Sequence, residues 1–231
     1  MTAFRQLLAD FSRWPANLVR DFPQRAGRLL GALAAPPQRL SARSLGIWLH
    51  GLGCYLFDLA GGPEMAETGL RLLTDSRPLT AAERATAAGV FGPRAIRFDQ
   101  VRVAQGGILE RAFRLNGGRA FATWHTINLP SRPEKDLSLI VHELTHVYQY
   151  ERVGTVYIGQ GLWVQRQKGH AAYHYGGAAG LAECLTSGLH LHDFNREQQG
   201  QIAQDYCRRL SRGEDVSAYE PFIAELRAGI L

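Results

Sequence analysis

Residues 140–148 read IVHELTHVY, and this stretch decides how the chain is understood. On a helix, His142 and His146 are four positions apart and stack on one face about a turn from each other, so two imidazoles can reach a single metal ion. Glu143 sits beside that face, where a carboxylate can contact a metal-bound water without ligating the metal. This is the geometric content of H-E-x-x-H. Leu137, Val141 (or Ile140), Leu144 and Val147 (or Tyr148) supply the apolar stripe that such a helix needs. The plain alternative is a structural pair of core histidines. With 8 His in 231 residues, a chance match is expected on the order of 0.01 times per chain, so the metal reading leads.

With three protein ligands and an open position, Zn²⁺ lowers the pKa of a bound water from about 15.7 toward about 7 and polarises a carbonyl. Glu143 then acts as general base and returns the proton to the leaving amine. The expected reaction is hydrolysis of a peptide bond in a protein or peptide substrate, with one Zn²⁺ per chain. His146 lacks the H-x-x-G-x-x-H continuation, so the third ligand must lie farther on. His170, His174, Glu183, His190, His192, Asp193, Glu197 and Asp205 are all available.

Charge is unevenly placed. Residues 1–44 carry seven Arg against two Asp, whereas the remainder balances at nineteen of each sign. A basic leader on a neutral body argues against nucleic-acid binding, which needs a basic face on the folded domain. Cys54, Cys184 and Cys207 form no C-x-x-C pair, so neither a disulfide framework nor a thiolate zinc site is expected. No cleavable signal is evident, because Arg5, Asp10 and Arg13 interrupt the early apolar residues. Residues 45–60 are apolar but short for a bilayer, and are expected as a buried helix. The expected location is cytoplasmic, peripheral to a membrane at most.

Residues 3–33 space Phe4, Leu7, Leu8, Phe11, Trp14, Leu18 and Phe22 helically among arginines, with breaks expected at Pro15 and Pro23. Residues 1–33 are thus either a membrane-surface or protein-binding segment or a helix packed on the body. AAPPQ at 34–38 reads as the linker, dividing an Arg-rich segment over 1–40 from a domain over 41–231. Helices are expected over about 43–60 and 63–74, and a third from the capping box Thr80 to Glu83 up to Gly92-Pro93. Strands follow at 96–103, and at RAFRL and RAFATW around an Asn116-Gly117-Gly118 hairpin, with HTINLP ending the sheet. The metal helix is expected from about Pro133 to Tyr150, then loop over 151–180. Later helices are expected at about 181–190, 195–210 and 218–228, the last opened by a capping box from Ser217 to Glu220.

The order of strand, hairpin, H-E-x-x-H helix, glycine-rich loop and later glutamate helix resembles the gluzincin-like metallopeptidases. VRV, VHELTHVYQY and NREQQGQIAQDY more closely resemble the bacterial zincin-like proteins known as Vgr-related, which are similar to the metallopeptidase-like core domain associated with contractile injection systems. The resemblance covers about residues 78–210. It implies an α+β, mostly helical zincin-like domain with one small antiparallel or mixed sheet. In gluzincins the ligating Glu commonly opens a later helix as E-x-x-A-D, which selects Glu197 in Glu197-Gln-Gln-Gly200-Gln201. The small residue is kept, but Gln201 replaces the acid that would orient a ligand imidazole, and Asp205 is its nearest substitute. Ile202, Tyr206 and Leu210 form an apolar face that Glu197 points away from, so a solvated Glu197 is the competing reading. His174 is the second candidate as ligand or catalytic group, with Tyr173 and Tyr175 as alternative donors to a tetrahedral oxyanion. Tyr148, Tyr150, His190 and His192 read as packing or surface residues. RAFATWHT stands where zincins carry the edge strand that binds extended peptide. A non-catalytic binding or assembly module, joined to a membrane or larger complex by the leader, is the alternative. A secreted toxin-like effector is a third reading.

Overall fold

The computed structural model describes residues 3–39, 41–115, 117–130 and 136–231. It is mostly helical with one small mixed sheet, as expected. Helix α1 spans Ala3–Ala34 without a break at Pro15 or Pro23, which corrects the expected interruption. An interior proline costs a helix about 3 kcal/mol, and here pairing to the body opposes that cost. Asp10 binds Arg71 and Arg102, Asp21 binds Arg97, and Arg25 binds Glu64. The side chains of Phe4, Leu7 and Leu8 lie outside the described residues.

Helix α2 (Ala42–Leu59) starts on a Ser41/Ser44 capping box. The expectation that this segment is buried is wrong: Asp58 alone is buried, and Leu45, Ile47, Leu49, Leu56 and Phe57 are exposed. The helix packs on α1. Helix α3 (Gly62–Leu72) leads into strand β1 (Asp75–Pro78). Helix α4 (Ala81–Phe91) has the expected Thr80/Glu83 capping box and ends at Gly92.

The sheet differs in detail from the sequence reading. Strand β2 is Arg102–Gln105; residues 96–100 are turns that bury Ile96 and Phe98, which mimics strand alternation. The expected strand RAFRL is helix α5 (Leu109–Leu115), because Leu109 and Phe113, four apart, pack together against Ala104. Gly117 and Gly118, both with positive φ, follow that helix and make no hairpin; Asn116 lies outside the described residues. The real hairpin joins β3 (Phe121–Thr123) to β4 (Thr126–Asn128) through Trp124 and His125, with Trp124 at φ 50°. Strand order is β1-β2-β4-β3, with β2/β4 parallel and the other pairs antiparallel, so β3 is an edge.

Helix α6 (Leu137–Val153) is capped by Asp136; its expected start at Pro133 lies outside the described residues. Helix α7 (Val156–Lys168), a 3-10 turn (Gly169–Tyr173) and α8 (Gly177–Thr186) occupy most of the segment expected as loop. Its glycines suggested turns, but Gly159 and Gly161 sit inside α7 where His50 and Glu197 approach the backbone. Asn195 caps α9 (Arg196–Ser211), and α10 (Glu220–Ala228) follows. The capping box expected at α10 does not form: Ser217 donates to Asp215, and Glu220 accepts from Tyr206.

Helix α6 is the axis of the core. Val141, Leu144, Val147 and Tyr148 are fully buried among Phe91 of α4, Ile127 of β4, Ile202 of α9 and Phe222 of α10. No described helix is long and apolar enough to cross a membrane.

Candidate metal centre

Helix α9 packs along α6, and this places the polar residues of both helices together. Glu197 Oε2 lies 3.6 Å from His142 Nε2 and 3.5 Å from His146 Nε2. One donor atom from each of the three residues lies within 4.8 Å of the others, and all three residues are buried. The reading of Glu197 as a solvated surface residue is therefore corrected. The first turn of α9 is not on the surface but lies against α6 and α7, and Asn195 fixes it by accepting from the amides of Glu197 and Gln198.

Two glycines make the approach possible. A Cβ on Gly200 would stand 3.0 Å from the His142 ring, and one on Gly161 would stand 3.1 Å from Glu197 Oε1. The donor set also suits a metal sterically. Four ligands at about 2.1 Å around tetrahedral Zn²⁺ are separated by about 3.4 Å, close to the two carboxylate–imidazole distances.

Without a metal, the charges respond to one another. Burial pushes the Glu197 carboxyl up, but His146 and His142 outweigh it and hold Glu197 well below the usual carboxylate range. Burial pushes His146 down, but Glu197 prevails and raises it to about 9. Glu143 is raised by burial, and its Oε2 has no hydrogen-bond partner among the described residues. An unsatisfied buried carboxylate beside two imidazoles is costly to keep for packing alone. The His142 Nδ1 is likewise unpartnered, whereas His146 Nδ1 lies 2.8 Å from Gln149 Oε1.

The centre opens into a cleft of about 890 Å³ lined by Ala122 and Thr123 of the edge strand, Glu143, Tyr157, Leu162 and Tyr173, among others. Glu143 and the three donors all face it. Tyr157 stacks on the His146 ring, and its hydroxyl donates to Ala122 O and accepts from the Trp124 amide. It therefore ties the edge strand to α6.

His174 is not brought to this site. The chain becomes extended there and leaves the residue exposed, outside the cleft. Tyr173, one residue earlier, is the side chain that lines the cleft. Its ring is 5.9 Å from that of His142, and its hydroxyl, raised by burial to about 12, accepts from Gln165. Tyr175 instead donates to Asp205. Asp205 also receives Gln201 and Arg208, so it does not serve as the substitute acid for a ligand histidine. His190 pairs with Glu225 at the surface.

Residues 78–154 match the family model described as the eCIS core domain. That span runs from the end of β1 through the H-E-x-x-H helix and stops before Glu197. The chain is also similar to the type VI secretion system spike protein VgrG2b of Pseudomonas aeruginosa, at 29% identity over 181 residues. The match takes in 73% of this chain but only 16% of that protein. No solved structure matches. The comparisons link the chain to proteins of contractile injection and secretion systems.

Sequence reasoning missed Gln149 and Tyr157. Gln149 had a readable signal, since it is an amide three residues after His146 on a helix whose neighbouring positions are largely apolar. Tyr157 had none, because its segment was read as loop.

Proposed function

We propose that this chain is a zinc-dependent peptide hydrolase domain that works as a component of, or a cargo for, a protein-secretion or injection apparatus. The observation that carries the catalytic part is the placement of Glu197 Oε2 at 3.6 and 3.5 Å from His142 and His146, with Glu143 beside them. His142, His146 and Glu197 would hold one Zn²⁺, which supplies Lewis-acid activation of water and of the scissile carbonyl. Glu143, destabilised as an anion by burial, is suited to take a proton and hand it to the leaving amine. Tyr173 offers a hydroxyl on the cleft wall for a developing oxyanion. The edge strand β3 can align an extended peptide along the cleft.

The likeness to a secretion-system spike protein favours a second reading, in which the domain is a non-catalytic module assembled into such a complex. Peptide hydrolysis by the zinc-loaded wild type and by Glu143→Gln separates the two. Cleavage that drops about 100-fold or more in the variant supports hydrolysis. No cleavage by a zinc-loaded wild type across a broad peptide library supports the assembly module.

A further inference from the structure

Gln149 and Gln199 form a buried amide relay whose polarity is fixed at both ends. The Gln199 amide nitrogen lies 3.1 Å from two backbone carbonyls, those of Leu191 and Phe194. Carbonyls only accept, so this end of the Gln199 amide must be its NH₂. Its Oε1 then faces the Arg196 guanidinium at 3.3 Å and Gln149 Nε2 at 2.9 Å. Gln149 Nε2 also meets the carbonyl of Arg196 at 3.0 Å, which fixes the second amide in the same sense. The remaining Gln149 Oε1 points at His146 Nδ1, 2.8 Å away, where an oxygen can only accept.

From this geometry we infer that Gln149, oriented by Gln199, is a positioning residue that sets the tautomer of His146. The relay keeps the proton on Nδ1 and leaves the Nε2 lone pair directed to the metal position. It performs the task of the carboxylate that is absent at Gln201, but with a neutral acceptor. Both glutamines are almost fully buried, at 0% and 1% exposure, so water cannot substitute for either. His142 has no such partner at Nδ1 among the described residues, so these residues hold the two imidazoles unequally.

The inference deepens the metal-site reading and rests on it only in part, because the contact between Gln149 Oε1 and His146 Nδ1 exists without metal. The test uses the full chain as wild type, Gln149→Leu and Gln199→Leu. Side-chain ¹⁵N NMR of the metal-free protein, followed into alkaline pH until the imidazole is neutral, reads the tautomer directly. Chelator competition reads zinc affinity, and thermal unfolding checks that each variant folds. Wild type should show the Nδ1–H form, while Gln149→Leu shows a mixture or the Nε2–H form. Zinc affinity should fall about 10- to 100-fold in Gln149→Leu and fall less in Gln199→Leu. An Nε2–H wild type, or a folded Gln149→Leu that keeps the wild-type tautomer, overturns the relay. A wild type that shows the Nδ1–H form yet binds no zinc overturns the metal reading and leaves the relay standing.

Discussion

The α-carbon of Gly200 faces the imidazole of His142 so closely that a single methyl group there would stand 3.0 Å from the ring. Glycine inside a helix ordinarily costs about 1 kcal/mol relative to alanine, so its presence in α9 has to be offset by what the close approach permits. What it permits is the meeting of α9 with α6, and hence of Glu197 with the two histidines.

Gly200→Ala should therefore separate stability from metal binding. Helix propensity gains about 1 kcal/mol and overpacking loses about 1 to 3 kcal/mol, so the net loss is at most about 2 kcal/mol and the melting temperature falls by at most several degrees. Zinc affinity should drop about 10-fold as His142 is displaced, measurable by chelator competition. Unchanged affinity would mean that the ring yields without cost.

Glu143→Gln should leave zinc binding intact and make the fold no less stable than wild type. The change removes a buried carboxylate with an unsatisfied oxygen, a group that costs about 1 to 3 kcal/mol when unpaired. Denaturant unfolding of both proteins checks this. A clear loss of stability in the variant would assign Glu143 a structural partner that the structure does not show.

Asp10→Asn tests how firmly α1 belongs to the body. Asp10 is shared by Arg71 and Arg102, both nearly buried. Removing its charge leaves Arg102 without an acidic partner among the described residues, at a cost of about 3 kcal/mol. Equilibrium unfolding that moves by less than about 1 kcal/mol would show that these pairs behave as exposed ones and that α1 is loosely attached.

The His125 cluster predicts a pH dependence remote from the metal. Burial pushes His125 down, but hydrogen bonds to Glu151, at 2.9 Å, and Glu67 outweigh it and raise the group above its usual value. Burial pushes Glu67 and Glu151 up. Arg71 and His125 pull Glu67 below the usual range, and His125 with Arg97 does so for Glu151. A raised histidine contributes stability that is complete below about pH 6.5 and fades as pH rises through its folded value. The lowered acids contribute above about pH 4.3 and fade as pH falls. The stability gap between wild type and His125→Gln should then be widest at weakly acidic pH and narrow toward alkaline pH. A constant gap in thermal melts across that range would exclude an ionised His125.

Helix α6 was legible because its signal is local: two histidines four apart and an apolar stripe fix one face of one helix. The capping box at Thr80 and Glu83 was legible for the same reason. Glu197 was reached through resemblance to a motif, while the helical wheel pointed the other way, because a wheel assumes one buried face and the first turn of α9 is enclosed by two helices. His174 was misplaced because proximity in sequence to Tyr173 says nothing about which of two adjacent side chains turns inward. The strand expected at RAFRL failed through the ambiguity of short apolar runs, where Leu109 outside the run supplied the helical partner for Phe113. Glycines misled twice, at Gly159 and Gly161, because a glycine needed for close packing and a glycine needed for a turn look alike in sequence.

Metal content tests the central claim most directly. Elemental mass spectrometry on untagged protein, purified without added zinc and again after reconstitution, should find about one zinc per chain in wild type and in Glu143→Gln. Glu197→Ala should have lost it. A wild type that holds no zinc after reconstitution, or a Glu197→Ala that holds it as tightly as wild type, would contradict the three-residue centre.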